Sequence, residues 1–491
     1  LGKLRSQTDS EIAAGVFDHF YAGDPYDCIK KAVGKLKGTF AFVLMFADFP
    51  ERVYSIRNVS PIVAAKTEDG AILASDVTAI GKYTGQYFVV PEYHVLTMTK
   101  DGITLTDLDG NKKEPEYLEI DFELNMSEKD GFPFYMEKEM AEQPRVIARM
   151  LEEKTTEGLP DFSGEQVPDS LLTSCESVCI IACGSAMHAG LAGQFLMKKF
   201  LHIPVSVEMA SEFMYTDPVV DEKTLVIAVS QSGETIDTLE ALKYAKQKGA
   251  GSLAVINVKG SSIARESDAV LYTNAGPEIA VASTKAYTSQ LALFALLVAR
   301  MAYVRGDFTE TETRDFVREL KRVPDAMEKV LAGKEKIHHI AGRIISAKDI
   351  FMIGRGLDYF IAMEGSLKLK EVSYIHSEAY ASGELKHGPL ALITEHTPVV
   401  AVATQKQLLS KEVSNIREVR SRGADVVLFA KEQLMPEEEE GYLTFELPDV
   451  RDEFMCLPAA AALQLLAYYV SSDKGYDVDK PRNLAKVVTV E

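Results

Sequence analysis

The sequence predicts an α/β protein, with two tandem domains on parallel sheets preceded by a smaller α+β layer. Three observations carry this. Charge-free runs at 178–182 and 224–229 have the texture of strands covered on both faces. Segments with apolar residues at helical spacing follow them, as at 236–246, giving the strand–helix alternation of a parallel sheet. The second half also repeats the first. Gly184 and Gly356, each closing an apolar run, lie 172 positions apart, as do Glu212 and Glu384. The run 224–229 recurs at 397–402, offset by 173, and the helix-ending Gly249 and Gly423 are offset by 174.

In chain order, 38–46 and 52–57 read as neighbouring strands across an Asp48-Phe49-Pro50 turn. Short strands continue at 72–74 and 93–98, with Asp101-Gly102 and Asp109-Gly110 as turns, so this layer is mostly antiparallel. Polar residues over 111–133 lack periodicity and mark a boundary, and 135–151 is helical by pattern. The first repeat carries strands at 178–184, 224–229 and 252–256; the second at 349–356, 397–402 and 425–429. The expected divisions are 1–125, a linker and leading helix over 126–170, domains at 171–310 and 340–480, and a tail at 481–491. The Glu437–Glu440 run is most simply a solvated loop.

Length and charge narrow the function. At ~100–200 residues per domain, 491 residues make about three domains. A net charge of −20 argues against general nucleic-acid binding, which needs excess Lys and Arg. Five cysteines are too few for a disulfide framework. Cys175, Cys179 and Cys183 recur every four residues, a metal-site spacing on a helix, but the apolar residues around them favour a strand and buried thiols; no metal or cofactor is expected. No apolar run approaches ~20 residues and no signal peptide is visible, so a cytoplasmic protein without a membrane span is expected.

The most informative stretch is Ser230-Gln231-Ser232-Gly233-Glu234-Thr235, between a strand and a helix. Hydroxyls at a helix N-terminus suit a phosphate, which meets free N–H groups and the positive end of the dipole. The same residues also fit a Ser/Thr helix cap, and the pattern alone leaves both open. At the equivalent place the second repeat has Ala403-Thr404-Gln405-Lys406-Gln407-Leu408, without the glycine, which suggests one phosphate site per chain. Glu364, Lys368 and Glu371 share one helix face, which by spacing alone is an ordinary surface ion-pair stripe. His387, in Gly383-Glu384-Leu385-Lys386-His387-Gly388-Pro389, reads as a loop histidine, and 479–486 as a mixed-charge tail that can fray.

Taken together, these motifs resemble the glutamine-dependent glucosamine-6-phosphate synthases (glutamine–fructose-6-phosphate aminotransferases, isomerizing). The resemblance runs the length of the chain. It is carried by 182–185, 230–235, Glu278-Ile279-Ala280-Val281-Ala282-Ser283-Thr284-Lys285, Leu367-Lys368-Leu369-Lys370-Glu371, 383–389 and Pro481-Arg482-Asn483-Leu484-Ala485-Lys486. It implies two tandem sugar-isomerase (SIS) domains that make glucosamine 6-phosphate from fructose 6-phosphate and ammonia drawn from glutamine. It further implies a homodimer. By resemblance, Ser230, Gln231, Ser232 and Thr235 bind the phosphate, Cys183, Gly184 and Ser185 line the pocket, and Val281 and Ser283 touch the sugar. Lys486 forms a Schiff base with the ketose, and Glu371, with Lys368 beside it, moves the proton between carbons 1 and 2. His387 opens the ring, reached across the dimer interface. An SIS-domain fructosamine-6-phosphate deglycase and a non-catalytic sugar-phosphate sensor are the competing readings.

The N-terminal layer resembles the later part of the family's Ntn-hydrolase-like glutaminase domain. Ser6-Gln7-Thr8-Asp9-Ser10-Glu11 matches the motif whose aspartate, here Asp9, binds the glutamine amino group. The family's N-terminal catalytic cysteine, a substrate arginine and an Asn-Gly pair have no counterpart, since the sequence opens at Leu1, and Cys28 is internal. A partial glutaminase domain is therefore expected. The prediction is that this polypeptide forms glucosamine 6-phosphate with ammonium salts but not with glutamine; efficient glutamine use in a product assay refutes it.

Overall fold

The computed structural model describes residues 5–6, 8–68, 70–75, 77–120, 129–435 and 442–488. Gln7, the Glu437–Glu440 run and residues 121–128 of the expected boundary lie outside the described residues. The chain forms two compact units, Leu1–Ser127 with Val488–Glu491, and Glu128–Val487.

The first unit opens with α1 (Asp9–Phe20) and α2 (Pro25–Val33). Asp24 starts α2 by accepting the N–H groups of Tyr26 and Asp27, with Pro25 at the first helical position, where its missing N–H costs nothing. Among the described residues nine strands follow: β1 (Phe40–Leu44), β2 (Val53–Asn58), β3 (Val63–Thr67), β4 (Gly70–Ala74), β5 (Gln86–Val89), β6 (His94–Thr99), β7 (Gly102–Asp107), β8 (Lys112–Lys113) and β9 (Leu118–Glu119). They build two antiparallel sheets, ordered β1-β2-β6-β7-β8 and β4-β3-β5-β9. Strands β3, β5 and β7 were not marked by the sequence pattern. β3 is Val-Ala-Ala-Lys-Thr, too small and mixed to alternate visibly.

The second unit begins with α3 (Tyr135–Glu153), a small hairpin of β10 (Thr155–Thr156) and β11 (Leu159–Pro160), and α4 (Asp169–Thr173). Its first sheet domain then runs β12 (Ser177–Ala182), α5 (Gly184–Leu201), β13 (Val205–Met209), α6 (Ala210–Phe213), β14 (Thr224–Ser230), α7 (Ile236–Gln247), β15 (Gly251–Ile256), α8 (Ser262–Glu266), β16 (Ala269–Tyr272) and α9 (Lys285–Arg305). Helices α10 (Glu310–Leu320), α11 (Val323–Ala332) and α12 (Lys334–Ile344) lead to the second: β17 (Asp349–Gly354), α13 (Leu357–Ser373), β18 (His376–Ala381), β19 (Pro398–Ala403), α14 (Leu409–Arg420), β20 (Asp425–Lys431), β21 (Leu443–Leu447) and α15 (Cys456–Asp473).

The strand orders are β13-β12-β14-β15-β16 and β18-β17-β19-β20-β21, parallel throughout. Each sheet thus places its second strand outside the first and its third on the other side, so the duplication read from spacing is a duplication of topology. Gly249 and Gly423, at the matching helix ends, both take positive φ (+94° and +91°), which explains glycine at each. Cys179 lies on β12 with Cys175 before it and Cys183 after it, so the four-residue spacing is not a helical one.

α9 and the stretch Asp452–Asp473 are long and apolar enough to cross a membrane by length and composition, yet they are core helices, almost wholly buried. α9 packs on α5 and α15 on α13. The α5–α9 contact is close enough that a Cβ at Gly193 would sit 2.6 Å from the Phe294 ring. Gly193→Val is therefore expected to lower the urea unfolding free energy by about 2 kcal/mol through overpacking. Gly342→Ala on α12, where nothing lies within 4 Å, should instead raise it by up to about 1 kcal/mol. Equal effects from the two would contradict this packing.

Candidate functional site

β12 and β14 are adjacent, parallel and in register, Ala182 beside Val229. The segments that follow them therefore leave the sheet side by side, at the point where the strand order reverses and α/β sheets hold ligands. Cys183 precedes α5 and Thr235 precedes α7, and neither side chain caps its helix. The Thr235 hydroxyl instead pairs with that of Ser230 at 3.0 Å, while the Gly233 N–H donates to Ser230 Oγ and the Glu234 N–H to Ser232 Oγ. The helix-cap alternative is thereby set aside. Two helix N-termini converge on one crevice with the hydroxyls around it, an arrangement that favours an anion.

The loop cannot be built without glycine. Gly233 has φ +67°, and a Cβ there would stand 2.0 Å from Ser261 Oγ. Glu234 pins the loop from outside by accepting the Ser262 N–H at 2.8 Å.

A second group of residues assembles around a buried carboxylate, Glu278. Its Oε1 accepts the N–H groups of Thr284 and Ala286, capping α9, while its Oε2 accepts from Ser283 Oγ (3.0 Å) and Lys486 Nζ (2.6 Å). Lys486 also donates to the Ala280 carbonyl at 2.8 Å. Burial alone would raise the Glu278 carboxyl, but the Lys486 ammonium and the α9 N–H groups outweigh it and hold it below its usual range. The tail is tied down further along. Asp479 accepts the Tyr135 and Met136 N–H groups at the start of α3, and its carbonyl accepts the Val281 N–H. The Arg482 guanidinium lies over the Tyr374 ring. The 479–486 segment is a docked strap, not a frayed end.

The Glu364, Lys368 and Glu371 stripe on α13 is not a surface feature. Glu364 and Lys368 are buried, and Glu371 is about a fifth exposed along its side chain. Glu364 accepts from Ser185 Oγ and pairs with His188 Nδ1, both at 2.8 Å, joining the start of α5 to the second sheet domain. Lys368 ion-pairs with Glu371 and, at 3.4 Å, with Glu364. Burial works against the Lys368 charge, but Glu371 and Glu364, with Glu278 further away, push its ammonium well above the ordinary lysine value. Ser185, Lys368, Glu371, Ser283 and Lys486 thus belong to one electrostatic network.

Two predicted residues stand apart from it. His387 is exposed at the end of a short 3-10 helix (Ser382–His387) where a loop was expected, and no contact links it to Lys486 or Glu371 among the described residues. Asp9 is exposed at the first position of α1 in the other unit. The equivalent crevice of the second sheet is filled from within. The Asp358 carboxylate accepts the N–H and hydroxyl of Thr404, and burial, partly offset by these bonds, pushes its carboxyl up to about 7. A separate cavity of about 310 Å³ is lined by Lys406, Lys431, Asp449 and Asp452, but Lys431 already pairs with both aspartates.

Sequence reasoning did not select Glu278, Glu139 or His188 as site residues. Glu278 opens a motif quoted above, but a single glutamate in a sequence carries no sign of burial.

The chain resembles known proteins along its length. Residues 171–300 and 343–471 match the family model of the SIS domain. The glutamine–fructose-6-phosphate aminotransferase (isomerizing) of Clostridium acetobutylicum is 44% identical over 490 residues, covering 100% of this chain and 81% of that protein. That of Thermus thermophilus is 43% identical over 494 residues, covering 100% and 80%. Among solved structures, the C-terminal domain of glucosamine-fructose-6-phosphate aminotransferase from Francisella tularensis aligns with a TM-score of 0.70 at 39% identity, over 72% of this chain and 100% of that one. A Thermotoga maritima glucosamine-6-phosphate deaminase aligns at TM-score 0.57 and 23% identity, over 72% and 99%, a likeness of fold alone.

Removing the buried carboxylate tests how the site is held. Glu278→Gln leaves the Lys486 ammonium without its counter-charge and should cost about 3–5 kcal/mol. A carboxyl held low stabilises the fold fully above its ordinary value of 4.5 and loses that effect as pH falls through the folded value. The difference in urea unfolding free energy between wild type and variant should therefore shrink in acid; a constant difference from neutral pH downward contradicts the ion pair.

Proposed function

Because this chain belongs to the glutamine–fructose-6-phosphate aminotransferase (isomerizing) family, an enzyme family with two SIS domains, we propose that it makes glucosamine 6-phosphate through a Schiff base on Lys486. The observation that carries the reading is the placement of the Lys486 amine. It is held on Glu278 and the Ala280 carbonyl, beside Ser283, and the same Glu278 charge acts on Lys368.

Fructose 6-phosphate would enter with its phosphate in the Ser230, Gln231, Ser232 and Thr235 loop, at the two uncapped helix ends. Cys183, Gly184, Ser185, Val281 and Ser283 would line the sugar. The deprotonated Lys486 amine attacks carbon 2 of the open ketose, the carbonyl oxygen leaves as water, and the resulting imine withdraws electrons from carbon 1. Ammonia then adds to the imine at carbon 2 and expels the Lys486 amine, and Glu371 takes a proton from carbon 1 and returns it to carbon 2, which leaves the amine on carbon 2 and an aldehyde at carbon 1. The buried Lys368 ammonium keeps Glu371 oriented and supplies positive charge where negative charge develops.

His387, exposed on its own chain, fits ring opening in a second copy, so we assign a homodimer. Asp9 would meet the amino group of glutamine in the N-terminal unit. The five cysteines are unpaired, which suits a cytoplasmic enzyme.

Borohydride reduction in the presence of fructose 6-phosphate, followed by peptide mapping, tests the assignment. The expected result is one adduct, on Lys486, abolished in Lys486→Arg. Binding of substrate without an adduct there overturns the Schiff-base role and favours a sugar-phosphate sensor.

A further inference from the structure

Glu139 is a buried carboxylate close to Lys486 that the proposed reaction does not use. It sits on α3, outside both parallel-sheet domains, and is 2% exposed. Its Oε1 accepts the N–H groups of Ile279 (2.5 Å) and Ala280 (3.3 Å). Lys486 grips the same residue from the other side, donating to the Ala280 carbonyl. One residue of backbone therefore separates the carboxyl from the amine. The other Glu139 oxygen, Oε2, is buried without a hydrogen-bond partner among the described residues.

The surrounding charges set the state of this carboxyl. On α3 itself, Lys138 pairs with Asp130 and Glu142, and Lys285 at the start of α9 pairs with Glu142 at 2.7 Å. Glu278 faces Glu139 from the 278–283 loop and Lys486 from the tail; Lys368 on α13 adds its charge through Glu278. Burial first, and the Glu278 charge second, push the Glu139 carboxyl up to about 8, against the pull of Lys486, the Ile279 N–H and Lys285. The grip on the Ile279 and Ala280 N–H groups needs an acceptor oxygen and no formal charge.

We propose that Glu139 is a positioning residue for Lys486, fixing the amine through the backbone of Ala280. The inference rests on Lys486 as the Schiff-base amine.

Glu139→Gln in the full chain tests it, because glutamine keeps the acceptor oxygen and never ionises. The rate of borohydride-trapped adduct with fructose 6-phosphate is read across the pH range, beside substrate KM. Glu139→Gln should trap within about twofold of the wild-type rate across that range, because the backbone grip is kept. Glu139→Ala, which also removes the grip on the backbone, should lower the trapping rate at every pH and leave the KM for fructose 6-phosphate unchanged, since the Ser230 loop is untouched. A Glu139→Ala trapping rate equal to wild type, or a Glu139→Gln rate as low as that of Glu139→Ala, overturns the proposal. Absence of any Lys486 adduct in wild type overturns the Schiff-base assignment instead, so the two failures are distinguishable.

Discussion

The Glu278 carboxylate is the contact on which the rest of the site depends. A carboxylate this deeply buried is tolerable only when its oxygens are supplied with donors. Glu278 has four: two backbone N–H groups at the start of α9, the Ser283 hydroxyl and the Lys486 ammonium. Satisfying one charge therefore fixes three pieces of chain that are distant in sequence. The long core helix α9 is capped, the 278–283 loop is shaped, and the C-terminal strap is anchored with its amine inside. The strap is secured again at Asp479, which caps α3, so the helix leading into the unit and the tail closing it share a fastening.

Duplication explains the scaffold, and divergence explains the division of labour. Both sheets have the same strand order and the same crevice between their first and third strands. In the first, Gly233 permits a tight loop whose hydroxyls bond one another and leave the α7 terminus uncapped. In the second, the loop has no glycine, and the Asp358 carboxylate takes up the Thr404 N–H and hydroxyl. An internal carboxyl group satisfies that end of the sheet. The second domain contributes instead through α13, whose Glu364 reaches across to Ser185 and His188 of the first. Two domains that share ancestry in fold thus meet through a buried polar contact rather than by repeating a ligand site.

Much of the fold was legible in the chain. Strands β12, β14, β15, β17, β19 and β20 are apolar runs covered on both faces, and such runs have few alternatives. The helix ends at Gly249 and Gly423 were equally plain, because positive φ selects glycine. The antiparallel layer was less so. β3, β5 and β7 are short and mixed in character, and their pairing is decided by neighbours far along the chain rather than by local pattern. The Ser230 loop was legible as chemistry, but whether its hydroxyls cap the helix or one another was not.

The sequence by itself determined the alternation of strands and helices, the repeat, and the loop chemistry, because each is written in residues close together along the chain. Tertiary structure decided which charges matter. Glu364, Lys368 and Glu371 have the spacing of a solvated stripe, and Lys486 lies in what reads as a loose tail. Only packing of α13 against α15 and α5, and of the strap against the 278–283 loop, takes these charges out of water. Once there, their mutual attraction is screened much less, and residues with the spacing of a surface stripe become one connected site. Spacing along a helix reports which side chains are neighbours. It does not report the medium they share, and the medium sets their chemistry.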